Sequence, residues 1–232
     1  MSKQYPPPSN RRSFLTRLNA GLASFAALPG IAMAQKKPAA GAGWEPARHE
    51  KDDWMDELPG KHRLVFDTTT PEGFGDALAF ASNFIRVNGS EYGLQSSDLA
   101  VIIIARHRST PFGYNDAMWA KYGLELAARS KVDDPKTKLP PKMNLYNVPG
   151  YGELLHNRGT TLDSLFKQRV QLAVCSISTR GYSGVIAQAV GGNTDAIFSE
   201  LVANVLSNVH MVPAGIVAVN RAQERGYSLV TS

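Results

Sequence analysis

The run Leu99-Ala100-Val101-Ile102-Ile103-Ile104-Ala105 constrains the fold more than any other part of this chain. It is apolar throughout and β-branched at its centre, too short to span a bilayer and without the polar alternation of a half-exposed strand. Such a run is a strand buried on both faces, which calls for helices above and below it and so for a parallel sheet. The flanking sequence agrees. Residues 63–67 read as a first strand, bounded by Gly60 and a threonine cluster. Thr70-Pro71-Glu72 supplies an N-cap, a proline at the first helical position and an acid in the first turn. Phe74, Leu78, Ala81 and Ile85 then recur at helical spacing, so a helix is expected to Val87, ended by Gly89. Further helices are expected over 114–122, from Thr161 through Phe166, over 181–190, from Asn193 or Thr194 to Leu206, and from Pro213 to Gly226. Strands are expected at 170–175, 209–212 and 227–230. This alternation predicts a three-layer α/β/α domain with a mostly parallel five-stranded sheet. Residues 130–159, with Asp133-Asp134-Pro135, Pro140-Pro141 and Pro149-Gly150, read as one long inserted loop packed through Leu145, Tyr146 and Tyr151.

The first 34 residues read as an export leader. Asn10-Arg11-Arg12-Ser13-Phe14-Leu15 resembles the twin-arginine signature of bacterial exported proteins, a mildly apolar stretch runs from Leu18 to Met33, and Ala32-Met33-Ala34 is a small-x-small cleavage site. The mature chain is then expected to start near Gln35, in the periplasm, with no transmembrane segment. Residues 35–59, rich in Lys, Pro, Ala, Gly and charge, read as a flexible tether or a strap over the surface, and 60–232 as the folded domain. The formal charge of +5 comes mostly from the leader: without Lys3, Arg11, Arg12 and Arg17 the 25 basic residues fall to 21 against 20 acidic. A net charge of +1 gives no electrostatic basis for nucleic-acid binding.

In open parallel sheets, ligands bind beyond the carboxyl ends of the strands. Those ends carry Asp67 and Thr68 after the first strand, Arg106 and His107 after the second, and Cys175 at the third, with Arg180 five residues further on. Cys175 is the single cysteine of a chain read as exported, where cysteines ordinarily pair. It is either a reactive thiol, favoured by a helix N-terminus and nearby cations, or a small apolar residue closing a core strand. His107 is an acid–base group or a surface histidine on a basic turn. Thr68-Thr69-Thr70 either cradles an anion or caps a helix. Asn115 and Asp116 are binding candidates or a cap for the helix that follows. The five histidines show no metal-ligand spacing, no P-loop occurs, and Gly191-Gly192-Asn193 follows a helix rather than a strand, so no metal and no cofactor is assigned.

Three stretches resemble the DsrE-like family of sulfur-oxidation and sulfur-relay proteins. They are Val170-Gln171-Leu172-Ala173-Val174-Cys175, the run from Val212-Pro213-Ala214-Gly215 to Gly226-Tyr227, and Pro111-Phe112-Gly113-Tyr114-Asn115-Asp116-Ala117-Met118-Trp119, which is similar to that of an exported branch. The resemblance covers roughly 61–230. It implies a five-stranded, largely parallel α/β fold and a persulfide-carrying cysteine at a strand end, followed a few residues later by Arg-Gly, here Cys175 and Arg180-Gly181. It also implies a homo-oligomer or a sister subunit as partner, and a sulfur species or small anion as ligand. An alternative from another class is a non-enzymatic binding or assembly subunit, with Cys175 in the core and 130–159 as the contact surface.

Overall fold

A computed structural model describes residues 45–232. The expected leader, its cleavage site and the first part of the tether lie outside the described residues. The strands are β1 (His62–Thr68), β2 (Leu99–Ala105), β3 (Gln171–Cys175), β4 (Val209–Val212) and β5 (Ser228–Thr231). They form one sheet in the order β4-β3-β2-β1-β5, parallel at every pairing. The helices are α1 (Trp54–Glu57), α2 (Pro71–Tyr92), α3 (Asp116–Ser130), α4 (Leu162–Phe166), α5 (Ser176–Val190), α6 (Thr194–Ala203) and α7 (Gly215–Glu224). The fold is three-layer α/β/α. Among the described residues no helix is long and apolar enough to cross a membrane.

β2 is buried along its whole length, as its apolar run requires. Leu99, Val101, Ile103 and Ala105 point into the larger core and Ala100, Ile102 and Ile104 into the smaller one. The two cores differ in size because of the strand order. From β1 to β4 the chain steps across the sheet in one direction, and right-handed crossovers put all the intervening helices on one face. Only the return from β4 to β5 crosses the other face, through α7, whose Ala218, Val219 and Ala222 pack on the smaller core.

One helix cannot cover five strands, and the segment before β1 completes the cover. Met55 of α1 is fully buried in the smaller core. Its carbonyl accepts hydrogen bonds from Tyr227 Oη at 2.7 Å and Arg63 Nη1 at 3.0 Å. Arg225, with no exposed side-chain surface, donates from Nε to Asp56 at 3.0 Å. Trp54 stacks on His210 of β4, ring centroids 3.9 Å apart and 8° from parallel. The flexible-tether expectation is therefore corrected for residues 52–58, which form the packed strap.

Several element ends also differ from expectation. α2 passes through Gly89 and stops at Gly93, whose left-handed backbone (φ 67°) lets its N–H return to the last carbonyls. α3 continues past Tyr122, where the backbone kinks (φ −122°, ψ 17°), to Ser130. α5 starts at Ser176, not at 181, because Cys175 itself is its N-cap. The insertion is packed as expected: Leu145 and Tyr146 are buried in the larger core, and Tyr151 is 8% exposed. Buried Asn144 stitches it down, donating from Nδ2 to the carbonyls of Phe112 at 2.8 Å and Tyr114 at 3.0 Å.

Candidate functional site

β1, β2 and β3 are neighbours, so their carboxyl ends lie side by side, and Arg106, His107 and Cys175 come together there around a cavity of about 330 Å³. Arg129, Ile177, Ser178 and the start of α7 at Ala214-Gly215-Ile216 complete the lining.

Cys175 ends β3 and caps α5. Its Sγ accepts a hydrogen bond from the backbone N–H of Ser178 at 3.4 Å, and the residue is 6% exposed. The first turn of α5 is braced from behind. Tyr114 Oη donates to Thr179 Oγ1 at 2.9 Å, and Thr179 Oγ1 donates to the Cys175 carbonyl at 3.0 Å. Burial raises the Tyr114 phenol above its ordinary pKa, so it stays a donor.

Arg106 leaves β2 and grips Asp67 of β1 with two hydrogen bonds, Nε to Oδ1 at 2.7 Å and Nη2 to Oδ2 at 2.8 Å. The hydrogen bond to Asp67 raises the Arg106 pKa further, with a smaller contribution from the nearby Cys175. His107 follows in the left-handed region, φ 56°, uncommon for a residue with a Cβ. Its carbonyl accepts from Ser178 Oγ at 3.0 Å, joining the β2 turn to α5. Ser109 pins the same turn, accepting from the Arg106 N–H at 3.0 Å.

Arg129, on the second half of α3, is the lining residue that sequence reasoning missed. Its guanidinium carbon lies 4.9 Å from the ring centroid of Tyr182. Tyr182 Oη in turn meets Ser130 Oγ at 2.7 Å, and burial pushes the phenol up to about 12. Ending α3 at Tyr122 hid Arg129. A signal was nevertheless present, since Met118, Tyr122 and Leu126 keep helical spacing across the kink and are all buried.

Five expected site residues are not brought to the cavity. Arg180 turns to α6, where it pairs with Asp195 and lies 4.0 Å over the Phe198 ring, because its position in α5 faces that helix. Thr68 is fully buried, with its hydroxyl given to the Ile104 carbonyl at 2.8 Å. Asn115 caps α3 by accepting from the Met118 N–H at 3.3 Å, and Asp116 accepts from the Asn144 N–H of the insertion at 2.8 Å. Thr70 caps α2, accepting from the Gly73 N–H at 3.0 Å, so the threonine run is a helix start. Asp67 is 5% exposed and serves Arg106 rather than the cavity.

The result is a pocket facing a thiol with two guanidiniums, and with the N-termini of α5 and α7 directed at it. Among the described residues no acidic side chain is part of its lining, and the rim carries exposed Ile177 and Ile216. This arrangement suits a small anion held against the sulfur. Among the described residues no three His, Cys, Asp or Glu side chains cluster to hold a metal ion.

No family model matches the chain, and no curated protein matches it. Among solved structures it is similar to a protein of unknown function from Methanobacterium thermoautotrophicum, with 15% identity and a TM-score of 0.36 over 74% of this chain and 100% of that one.

Proposed function

We propose that this protein is a sulfur carrier of the DsrE-like kind, exported to the periplasm, whose Cys175 takes a sulfane sulfur from a small anionic donor. The observation that carries the reading is the placement of the one cysteine at a helix N-terminus, inside a cavity lined by Arg106, His107 and Arg129. A thiolate is the nucleophile in such chemistry, and both a helix N-terminus and cations favour it. With thiosulfate as donor, the Cys175 sulfur attacks the sulfane sulfur and a new S–S bond forms. The S–S bond of thiosulfate breaks, and sulfite leaves with the bonding electron pair. Cys175 is left as a persulfide, and the proton given up when the thiol ionises goes to water. No outside oxidant or reductant is needed, because the sulfane sulfur moves without a net change of oxidation level. Incubation with thiosulfate should release about one sulfite per chain from the wild type and none from Cys175→Ser. Equal release from both would contradict the reading.

The assembly-subunit reading has its own observation. Leu124 and Leu139 are 64% and 63% exposed and flank a hollow floored by Pro140 and Pro141. Light scattering on the wild type and on Leu124→Ser/Leu139→Ser tests it. An oligomer dissociated by the double substitution supports an assembly role, and an unchanged mass counts against it.

A further inference from the structure

Two arginines reach the cavity from opposite walls, and each passes a glycine. On the α7 wall, a Cβ on Gly215 would lie 2.7 Å from Arg106 Cβ and 2.9 Å from its Cδ. On the α5 wall, a Cβ on Gly181 would lie 2.8 Å from Arg129 Nη2. Both distances are shorter than side-chain atoms tolerate, so the two guanidiniums occupy their positions only because these helix residues lack side chains.

The two arginines are not equivalent. Arg106 is committed to Asp67, which takes Nε and Nη2 and balances its charge. Arg129 rests on the Tyr182 ring and, among the described residues, has no carboxylate partner. The Arg129 charge is thus the uncompensated cation of the cavity. Its position is held from two sides, by the Tyr182 face below and the bare Gly181 backbone beside it, while Ser130 fixes the Tyr182 hydroxyl at 2.7 Å. A surface arginine ordinarily swings freely in solvent. This one is seated against an aromatic face and a helix backbone at the mouth of a thiol pocket.

We propose that Arg129 is the specificity-determining residue of this site, selecting doubly charged oxoanion donors, and that Gly181 is the opening that admits it. The inference rests on the sulfur-carrier reading for the word donor, but not for the anion itself. A dianion such as thiosulfate places one charge against the α5 N-terminus and Arg106, and Arg129 meets the second. A neutral sulfur compound gains no charge interaction with Arg129, and a monoanion gains less than a dianion. The Arg-Gly pair at 180–181 then divides its roles: Arg180 holds α6, and Gly181 makes room for an arginine from another helix.

The test uses the whole protein and two thiol probes, the dianionic disulfide dithiobis(nitrobenzoate) and the neutral disulfide dithiodipyridine. The ratio of their labelling rates at Cys175 is the readout. Arg129→Gln should lower that ratio about tenfold, the effect of one charge-assisted contact, the neutral probe cancelling any change in the thiolate fraction. Gly181→Ala should lower it comparably, because the clashing atom is the far end of a flexible side chain and the fold can absorb the change by moving it. Arg180→Gln should leave the ratio as in the wild type. A second arm titrates sulfate and thiosulfate into Cys175→Ser protein with and without Arg129→Gln, by calorimetry, and expects about tenfold weaker binding without the arginine. An unchanged ratio in Arg129→Gln, or equal anion affinity in the second arm, overturns the proposal. A folded wild type that neither probe labels removes the thiol reading, and the calorimetric arm still decides the role of Arg129.

Discussion

Arg106 and Asp67 form a two-point ion pair across the carboxyl ends of adjacent strands, at 2.7 and 2.8 Å. The carboxylate is nearly buried and the guanidinium about a quarter exposed, with side-chain exposures of 7% and 27%. The pair belongs to the framework of the site rather than to its surface. Removing one partner should cost more than an exposed ion pair and less than a fully buried one. Asp67→Asn is expected to destabilise the domain by about 1–3 kcal/mol, measured from the urea midpoint. It should also free Arg106, so that anionic thiol probes reach Cys175 faster than in the wild type.

Gly215→Ala tests the close approach on the other wall. The added Cβ would sit 2.7 Å from Arg106 Cβ, close to the backbone, so Arg106 cannot simply swing aside. Overpacking of this kind costs about 1–3 kcal/mol, partly offset by the better helix propensity of alanine, worth up to about 1 kcal/mol. A lower thermal midpoint together with slower labelling of Cys175 by anionic reagents is expected. A stabilised protein would show that the α7 start has room to spare.

Much of the fold was legible in the sequence because β2 is apolar at every position, which leaves a strand in a parallel sheet as its only home. Cys175, Arg106 and His107 were legible for the same reason: parallel strands send their ends to one edge. Helix ends were less so. Ser176-Ile177-Ser178-Thr179 has no apolar period, so nothing in it announces that α5 begins directly after Cys175, and Arg180 lies near the thiol in sequence while its helical position turns it to α6. The spacing of Met118, Tyr122 and Leu126 carries α3 on to Arg129, but the approach of Arg129 to α5 at Gly181 is long-range and has no local signature.

The strap should respond to truncation and to pH. Met55→Ala removes a fully buried side chain and is expected to cost about 2–5 kcal/mol, with faster proteolysis within 50–58. His210, under Trp54, is held below its ordinary pKa by burial, against a smaller opposing pull from Glu57. A depressed folded-state value means that the unfolded chain binds the proton first. Stability should therefore fall as pH drops below about 6.5 and level off once the folded form also protonates. The urea midpoint of His210→Gln, followed from pH 7.5 to pH 5 (roughly the histidine titration range), should lose this part of the slope. An unaltered slope would assign the dependence to other groups.

The insertion is predicted to contribute to the stability of the domain through Asn144. Asn144→Ala leaves the carbonyls of Phe112 and Tyr114 without their shared donor in a fully buried position. A loss of about 1–3 kcal/mol is expected, read by thermal unfolding. Near-neutral stability would make the insertion a surface loop after all.

The most direct measurement is the intact mass of the full protein after exposure to thiosulfate or polysulfide under non-reducing conditions. The sulfur-carrier account predicts a gain of about 32 Da, one sulfur atom as a persulfide, on the wild type, removed by reductant and absent in Cys175→Ser. A wild-type mass that does not change, or a gain that persists in Cys175→Ser, would contradict it.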